Sequence, residues 1–202
     1  MRFFSCFTWL IALIGPSLAA HAQSNDWAFA KESEGVKVYT RSVPGLTLKA
    51  YRAVTTYEAT AEAILAEITD ADQCCAWQDR CTEGKLIRRI DENRYIGYTR
   101  IEIPWPLDDR DLVVKVEVQR QGDRIVCLMQ NAPDAYPRQE GVVRMPRFEG
   151  RWELIPLPNG QTKVINEGIT SPGGDIPDWL ANSGVVDTPL ATLINLRGEV
   201  EG

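Results

Sequence analysis

Histidine is almost absent from this sequence: there is one in 202 residues, His21, and it lies in an N-terminal stretch that reads as a segment removed on export. A folded part without imidazole excludes the Ser-His-Asp and Cys-His nucleophilic sites, which need one to take a proton at neutral pH. Most catalytic zinc sites, which use imidazole ligands, are excluded with them. The chain also lacks a Gly-rich phosphate loop, a dinucleotide fingerprint and an internal repeat. Positive charge is not in excess either, with 22 Lys and Arg against 28 Asp and Glu. Binding of nucleic acid, or of a strongly anionic surface through bulk charge, is therefore not expected. No two carboxylates can be seen to converge, so no catalytic residue, metal or cofactor is expected.

What is present begins with a leader. Arg2, an apolar run over residues 3–19 and the small-residue triplet Ala20-His21-Ala22 form the three parts of a secretory signal, residues 1–22. A membrane anchor fits less well. Ser5, Thr8 and Gly15-Pro16 interrupt the run, and no cationic stop-transfer cluster follows it. Residues 23–202 then form one domain, long enough to bury about 70% of its unfolded surface. Export across the inner membrane into the periplasm makes Cys74, Cys75, Cys81 and Cys127 disulfide candidates first. A bridge from Cys74 or Cys75 to Cys81 would close a short loop. Free thiols and a four-thiolate zinc site are the alternatives, although the paired Cys-x2-Cys spacing of zinc sites is missing.

Periodicity gives the elements. Residues 36–41 and 46–55 read as strands parted by Pro44-Gly45, and residues 61–69 as a helix with Thr60 as its N-cap. A short helical turn follows over residues 72–77. From Gly84 the period becomes two, giving hairpins 86–90/95–103, 112–119/125–130 and 143–157/162–170. Their turns fall at residues 91–94, at Gln121-Gly122 and at Pro158-Asn159-Gly160. Residues 131–141, with Pro133 and Pro137, read as a surface loop. Residues 176–197 read as a helix with Pro177 in its first position and a stripe of Trp179, Leu180, Ser183, Val186, Leu190, Leu193 and Ile194. Pro189 should kink or divide that helix. The fold class is α+β: an antiparallel sheet of about seven strands, an early helical insertion and one long closing C-terminal helix.

Four stretches, taken together and in this order, carry a family likeness. They are Trp77 to Cys81, Pro104-Trp105-Pro106-Leu107-Asp108-Asp109-Arg110-Asp111-Leu112-Val113, Gly150-Arg151-Trp152-Glu153-Leu154-Ile155-Pro156, and Gly173-Gly174-Asp175-Ile176-Pro177-Asp178-Trp179-Leu180. The chain resembles a secreted bacterial member of the START (StAR-related lipid transfer) family. That resemblance implies a helix-grip fold with an internal cavity between the concave sheet face and the last helix, and residues 131–141 as part of its lid. It implies binding, and transfer, of a lipid or other hydrophobic small molecule without catalysis. A polyketide cyclase or aromatase on the same fold, and an envelope protein gripping a hydrophobic partner segment, are the alternatives. The partners expected are the hydrophobic ligand and a transient membrane contact, for a protein that works as a monomer.

The residues themselves say which side chains point inward. A two-residue turn at Gln121-Gly122 pairs Val118 with Ile125, Val116 with Cys127 and Val114 with Met129, an apolar face that continues through Leu112. The sterol-binding branch of the family has a buried acid–Arg pair, and the matching positions here are Gly97 or Thr99 and Val116, so that hook is missing. Arg88, set across from Gly97 by a turn at Glu92-Asn93, could replace it, or could be solvated on a strand edge. Trp152 sits on the apolar face of its strand with Phe148 and Leu154, as pocket wall or as core. Trp179 and Leu180 are positioned to gate the entrance or to pin the helix, with Val186 and Leu190 further along the stripe. Arg110-Asp111 reads as a structural pair that fixes a turn. Burying about 500 Å² of an apolar ligand would supply roughly 12 kcal/mol before association costs.

Overall fold

Local chemistry accounts for the first helix. The Thr60 hydroxyl accepts from the Ala63 amide at 3.2 Å and caps α1, Ala61–Thr69, which buries Ala61, Ile64, Leu65 and Ile68, one stripe at helical spacing. The computed structural model describes residues 27–174 and 176–202, so the leader read at residues 1–22 lies outside them. Among the described residues ten strands form one sheet. They are β1 Ala28–Ser33, β2 Val36–Arg41, β3 Ala50–Tyr57, β4 Cys81–Arg89, β5 Arg94–Ile101, β6 Asp109–Gln121, β7 Arg124–Asn131, β8 Val142–Arg144, β9 Arg147–Pro156 and β10 Thr162–Ser171, followed by α2, Asp178–Glu201. The order is β1-β2-β3-β10-β9-β7-β6-β5-β4, with β8 lying parallel beside β6.

Periodicity predicts about seven strands, and the surplus has physical causes. β1 is an edge strand exposed along nearly all of its length, so it carries no buried alternation to detect. β8 has three residues and is cut from β9 at Met145-Pro146, where proline cannot donate to a ladder.

Two registers differ from expectation with opposite consequences. The β6–β7 turn is Gly122-Asp123, with Gly122 at φ 61°, so Val118 pairs with Cys127, Val116 with Met129 and Val114 with Asn131. A slip of two residues keeps every side chain on its expected face. In β4–β5 an irregularity between Leu86 and Arg88 sets Leu86, not Arg88, across from Gly97.

α2 runs unbroken through Pro189, with Pro177 as its N-cap rather than its first helical residue. Leu190, Leu193 and Leu196 enter a core with Tyr57, Ile64, Leu154 and Val164. Cys75 and Cys81 are joined by a disulfide, while Cys74 and Cys127 are buried free thiols.

Candidate functional site

A cavity of about 340 Å³ lies between the concave face of the sheet and the N-terminal half of α2. Strand alternation builds its wall. Gly97, Thr99 and Ile101 of β5 pair with Val114, Leu112 and Arg110 of β6, and all six face inward. Met129 of β7 lies beside Val116, and Phe148 and Trp152 of β9 beside Thr170 and Asn166 of β10. Leu180, Ala181, Gly184 and Val185 of α2 form the roof.

Missing side chains keep the space open. Gly150 and Gly168 pair directly across β9 and β10. A Cβ on Gly168 would lie 2.6 Å from the Tyr51 ring, and one on Gly150 2.8 Å from the Phe148 ring. Both rings therefore lie over bare backbone instead of standing up into the hollow.

The lining is apolar with a few polar groups. The Asn166 amide faces the Tyr51 hydroxyl, whose pKa burial raises while that hydrogen bond opposes the rise. The Cys74 thiol, 3.9 Å from the Thr99 hydroxyl, is likewise raised by burial. Both stay protonated at neutral pH. The Trp77 Nε1 and Thr170 Oγ1 are buried and have no hydrogen-bond partner among the described residues. The Arg110 guanidinium donates to the carbonyls of Asp108, Pro172 (3.4 Å) and Gly173 (3.0 Å). On the rim, Asp187 is held by Lys31 at 2.8 Å.

Of the side chains expected to meet a ligand, Thr99, Leu112, Val114, Val116, Met129, Trp152 and Leu180 line this cavity. The others do not. Arg88 pairs with Ile96 and is exposed on β4, because the β4–β5 irregularity turns it outward. Val118 and Cys127 pair with each other past the end of the hollow, in solid core, where burial pushes the Cys127 thiol up to about 12. Val186 and Leu190 pack on the core side of α2. Trp179, 73% exposed, faces water. A polyketide cyclase or aromatase working without histidine would need titratable groups such as Arg88, Tyr98 and Glu149 to converge in the cavity, and they do not: Arg88 and Glu149 are exposed, and the Tyr98 ring packs on the outer face against Tyr136.

Residues 131–141 do not cover the cavity. Ala132 and Tyr136 pack on the outer face of the sheet against Ile96, Tyr98 and Val113, with the Tyr98 and Tyr136 rings 5.0 Å apart. Asp111 does not pair with Arg110. It binds the buried Arg144 at 2.6 and 3.0 Å, and Arg144 donates to the carbonyls of Pro133, Tyr136 and Pro137, clamping that loop.

Several lining residues escaped the sequence reading. Tyr51 on β3, and Asn166 and Thr170 on β10, sit at inward positions that simple alternation could have flagged. Cys74 and Trp77 come from the turn after α1 and carry no periodic signal.

A family model described as the START domain matches residues 16–188. The chain is 40% identical to an uncharacterized protein of Pseudomonas aeruginosa, over 91% of each. A solved structure of a STAR-related lipid transfer protein from Xanthomonas axonopodis is 33% identical with a TM-score of 0.81, covering 87% of this chain and 99% of its own. A phosphatidylcholine transfer protein of Mus musculus is 23% identical, covering 78% of this chain and 75% of its own.

Proposed function

Because this chain belongs to the START domain family, we propose that it takes one lipid or other hydrophobic small molecule into the cavity beneath α2 and carries it chemically unchanged. The observation that carries this reading is the hollow itself. Leu112, Val114 and Val116 line a roofed space of about 340 Å³, and an apolar enclosure of that size is what a greasy ligand needs. Carriage fits better than catalysis, since the Tyr51 phenol and Cys74 thiol in the wall are held neutral and neither has an imidazole to activate it. The Xanthomonas and mouse relatives are both lipid transfer proteins, which supports transfer.

Delivery requires touching a bilayer, and the rim is equipped for it. Trp105, 91% exposed in the loop between β5 and β6, follows Pro104, which lines the cavity, and Trp179, in the first turn of α2, precedes Leu180, which also lines it. Indoles favour the membrane–water interface. On this reading the pair forms the edge that docks on a membrane, and the export expected from residues 1–22 would make that membrane a periplasmic one.

Secreting the full chain, sequencing the N-terminus of the exported protein, and extracting it for mass spectrometry test the proposal. A co-purifying lipid is expected. A folded, empty protein that takes up no lipid from an envelope extract would refute it.

A further inference from the structure

We propose that Arg110 is the headgroup-binding residue of the cavity, and that the ligand is accordingly a single-chain amphiphile with an anionic head, a carboxylate or a phosphate. The inference rests on the carrier reading above and narrows it to a ligand class.

The first support is an uncompensated charge. Arg110 is only 3% exposed and lies on the cavity wall. Its three hydrogen-bond acceptors are all neutral carbonyls, and a guanidinium carries five N–H donors, so two remain. Among the described residues no carboxylate forms an ion pair with it. The nearest acids in sequence are taken: Asp109 by Arg100 at 2.6 Å, and Asp111 by Arg144. Arg144, equally buried, shows what a satisfied buried cation looks like here, with both Asp111 oxygens against its guanidinium. Leaving a buried cation without a counter-ion is costly. An anionic head entering the cavity would supply that counter-ion.

The second support is position. Arg110 is the outermost inward-facing residue of β6, and beyond it Leu112, Val114 and Val116 are apolar without interruption. From Arg110 to Val116 the strand advances about 20 Å, the length of an extended acyl chain of ordinary size. A head at Arg110 therefore leaves a tail lying along the three aliphatic residues. The volume of about 340 Å³ is near the low end of the roughly 300–1,000 Å³ of small-molecule pockets, enough for one chain.

The third support is local shape. A Cβ on Gly174 would lie 2.9 Å from the Arg110 Nη2, so a glycine at that position leaves room for the guanidinium. Pro177 offers no side-chain cap to α2, and Leu180 in its first turn lines the same cavity. The positive end of a long helix adds to the field at this rim.

The test compares ligands of equal chain and different head on the delipidated protein: palmitate, hexadecyl phosphate and hexadecanol, each titrated calorimetrically. The unaltered protein should bind palmitate or the phosphate roughly tenfold or more tightly than the alcohol, as a charge-assisted hydrogen bond implies. Whichever anion binds more tightly identifies the head as carboxylate or phosphate. Arg110→Met should cancel the preference while leaving the alcohol within about twofold. Equal binding of acid and alcohol by the unaltered protein, which needs no variant and no refolding control, overturns the inference but not the carrier reading. So does an Arg110→Met protein that loses affinity for all three alike, which would make the residue a brace for the segment entering α2. If none of the three binds, and envelope lipids do not either, the carrier reading itself falls.

Discussion

The two halves of α2 do opposite things with the same backbone. Beyond Pro189, Leu190, Leu193 and Leu196 are sealed into the core, and the Tyr57 hydroxyl donates to the Leu193 carbonyl at 2.6 Å. Before it, Leu180, Ala181, Gly184 and Val185 roof a hollow while Trp179 stands in water. Composition follows the division. Leucines repeat through the second half, whereas alanine, serine and glycine at 181, 183 and 184 are too small to fill the space beneath the first half. In a close-packed interior unfilled space forfeits contacts, so the first half gives up stability for volume. Stability and ligand binding should therefore respond to different ends of one helix.

The sharpest way to break that division is to truncate a leucine in each half. Leu193→Ala should cost about 3 kcal/mol, the usual range for a fully buried leucine, measured by urea unfolding, with ligand affinity largely kept. Leu180→Ala removes atoms that already face a void and should cost less than about 1 kcal/mol, yet weaken ligand binding severalfold. Equal stability losses would mean that the roof is core after all.

Next in size is the hydroxyl that ties β3 to the packed half. Tyr57→Phe removes the donor that the Leu193 carbonyl receives from outside its own helix and should cost about 1–1.5 kcal/mol. The same phenol makes a pH test. Burial, opposed in part by Arg197, raises the pKa of Tyr57, and burial first of all raises that of Tyr98 to about 12. Their folded-state values thus lie above the unfolded value near 10. Stability is whole below about pH 10 and falls as the pH rises further, because only the unfolded chain ionises readily there. Urea midpoints at pH 9 and pH 11 should show that fall, and Tyr57→Phe should make it shallower. An unchanged slope would remove Tyr57 from the account of the solid half.

How far the sequence reveals this division depends on which signal each residue carries. Alternation along β6 put Leu112, Val114 and Val116 on the inner face, and it survived a misplaced turn because a slip of two conserves the face. The single-residue irregularity at Leu86–Arg88 did the reverse and turned Arg88 to solvent. The α2 stripe placed Leu190 and Val186 on the inward side, but a stripe cannot say where along its length the sheet comes close enough to fill the space. That depends on Gly150, Gly168 and the rings lying over them, a fact of three strands packed together. Partners distant in sequence are invisible for the same reason. Asp111 looked paired with its neighbour Arg110, yet its partner is Arg144, and that exchange decides which arginine is left facing the cavity.

The smallest expected effect lies at the boundary itself. Pro189 has no N–H, so the Val185 carbonyl one turn earlier, on the cavity side, receives no helical hydrogen bond from it. A proline inside a helix is tolerated where the structure gains something from a weaker joint, and this one falls between the roof and the packed leucines. Pro189→Ala would restore the missing bond and remove the ring's pressure on the preceding turn. The helix should gain about 1 kcal/mol, well below the roughly 3 kcal/mol of an isolated helix, since the surrounding core already holds the segment. If the first half lifts as a unit to admit ligand, the same change should slow release of a bound fluorescent fatty acid by severalfold, measured by stopped-flow into excess vesicles, while equilibrium affinity moves little. A variant that is stabilised but releases ligand at the unaltered rate would show that the two halves of α2 differ in packing and not in motion.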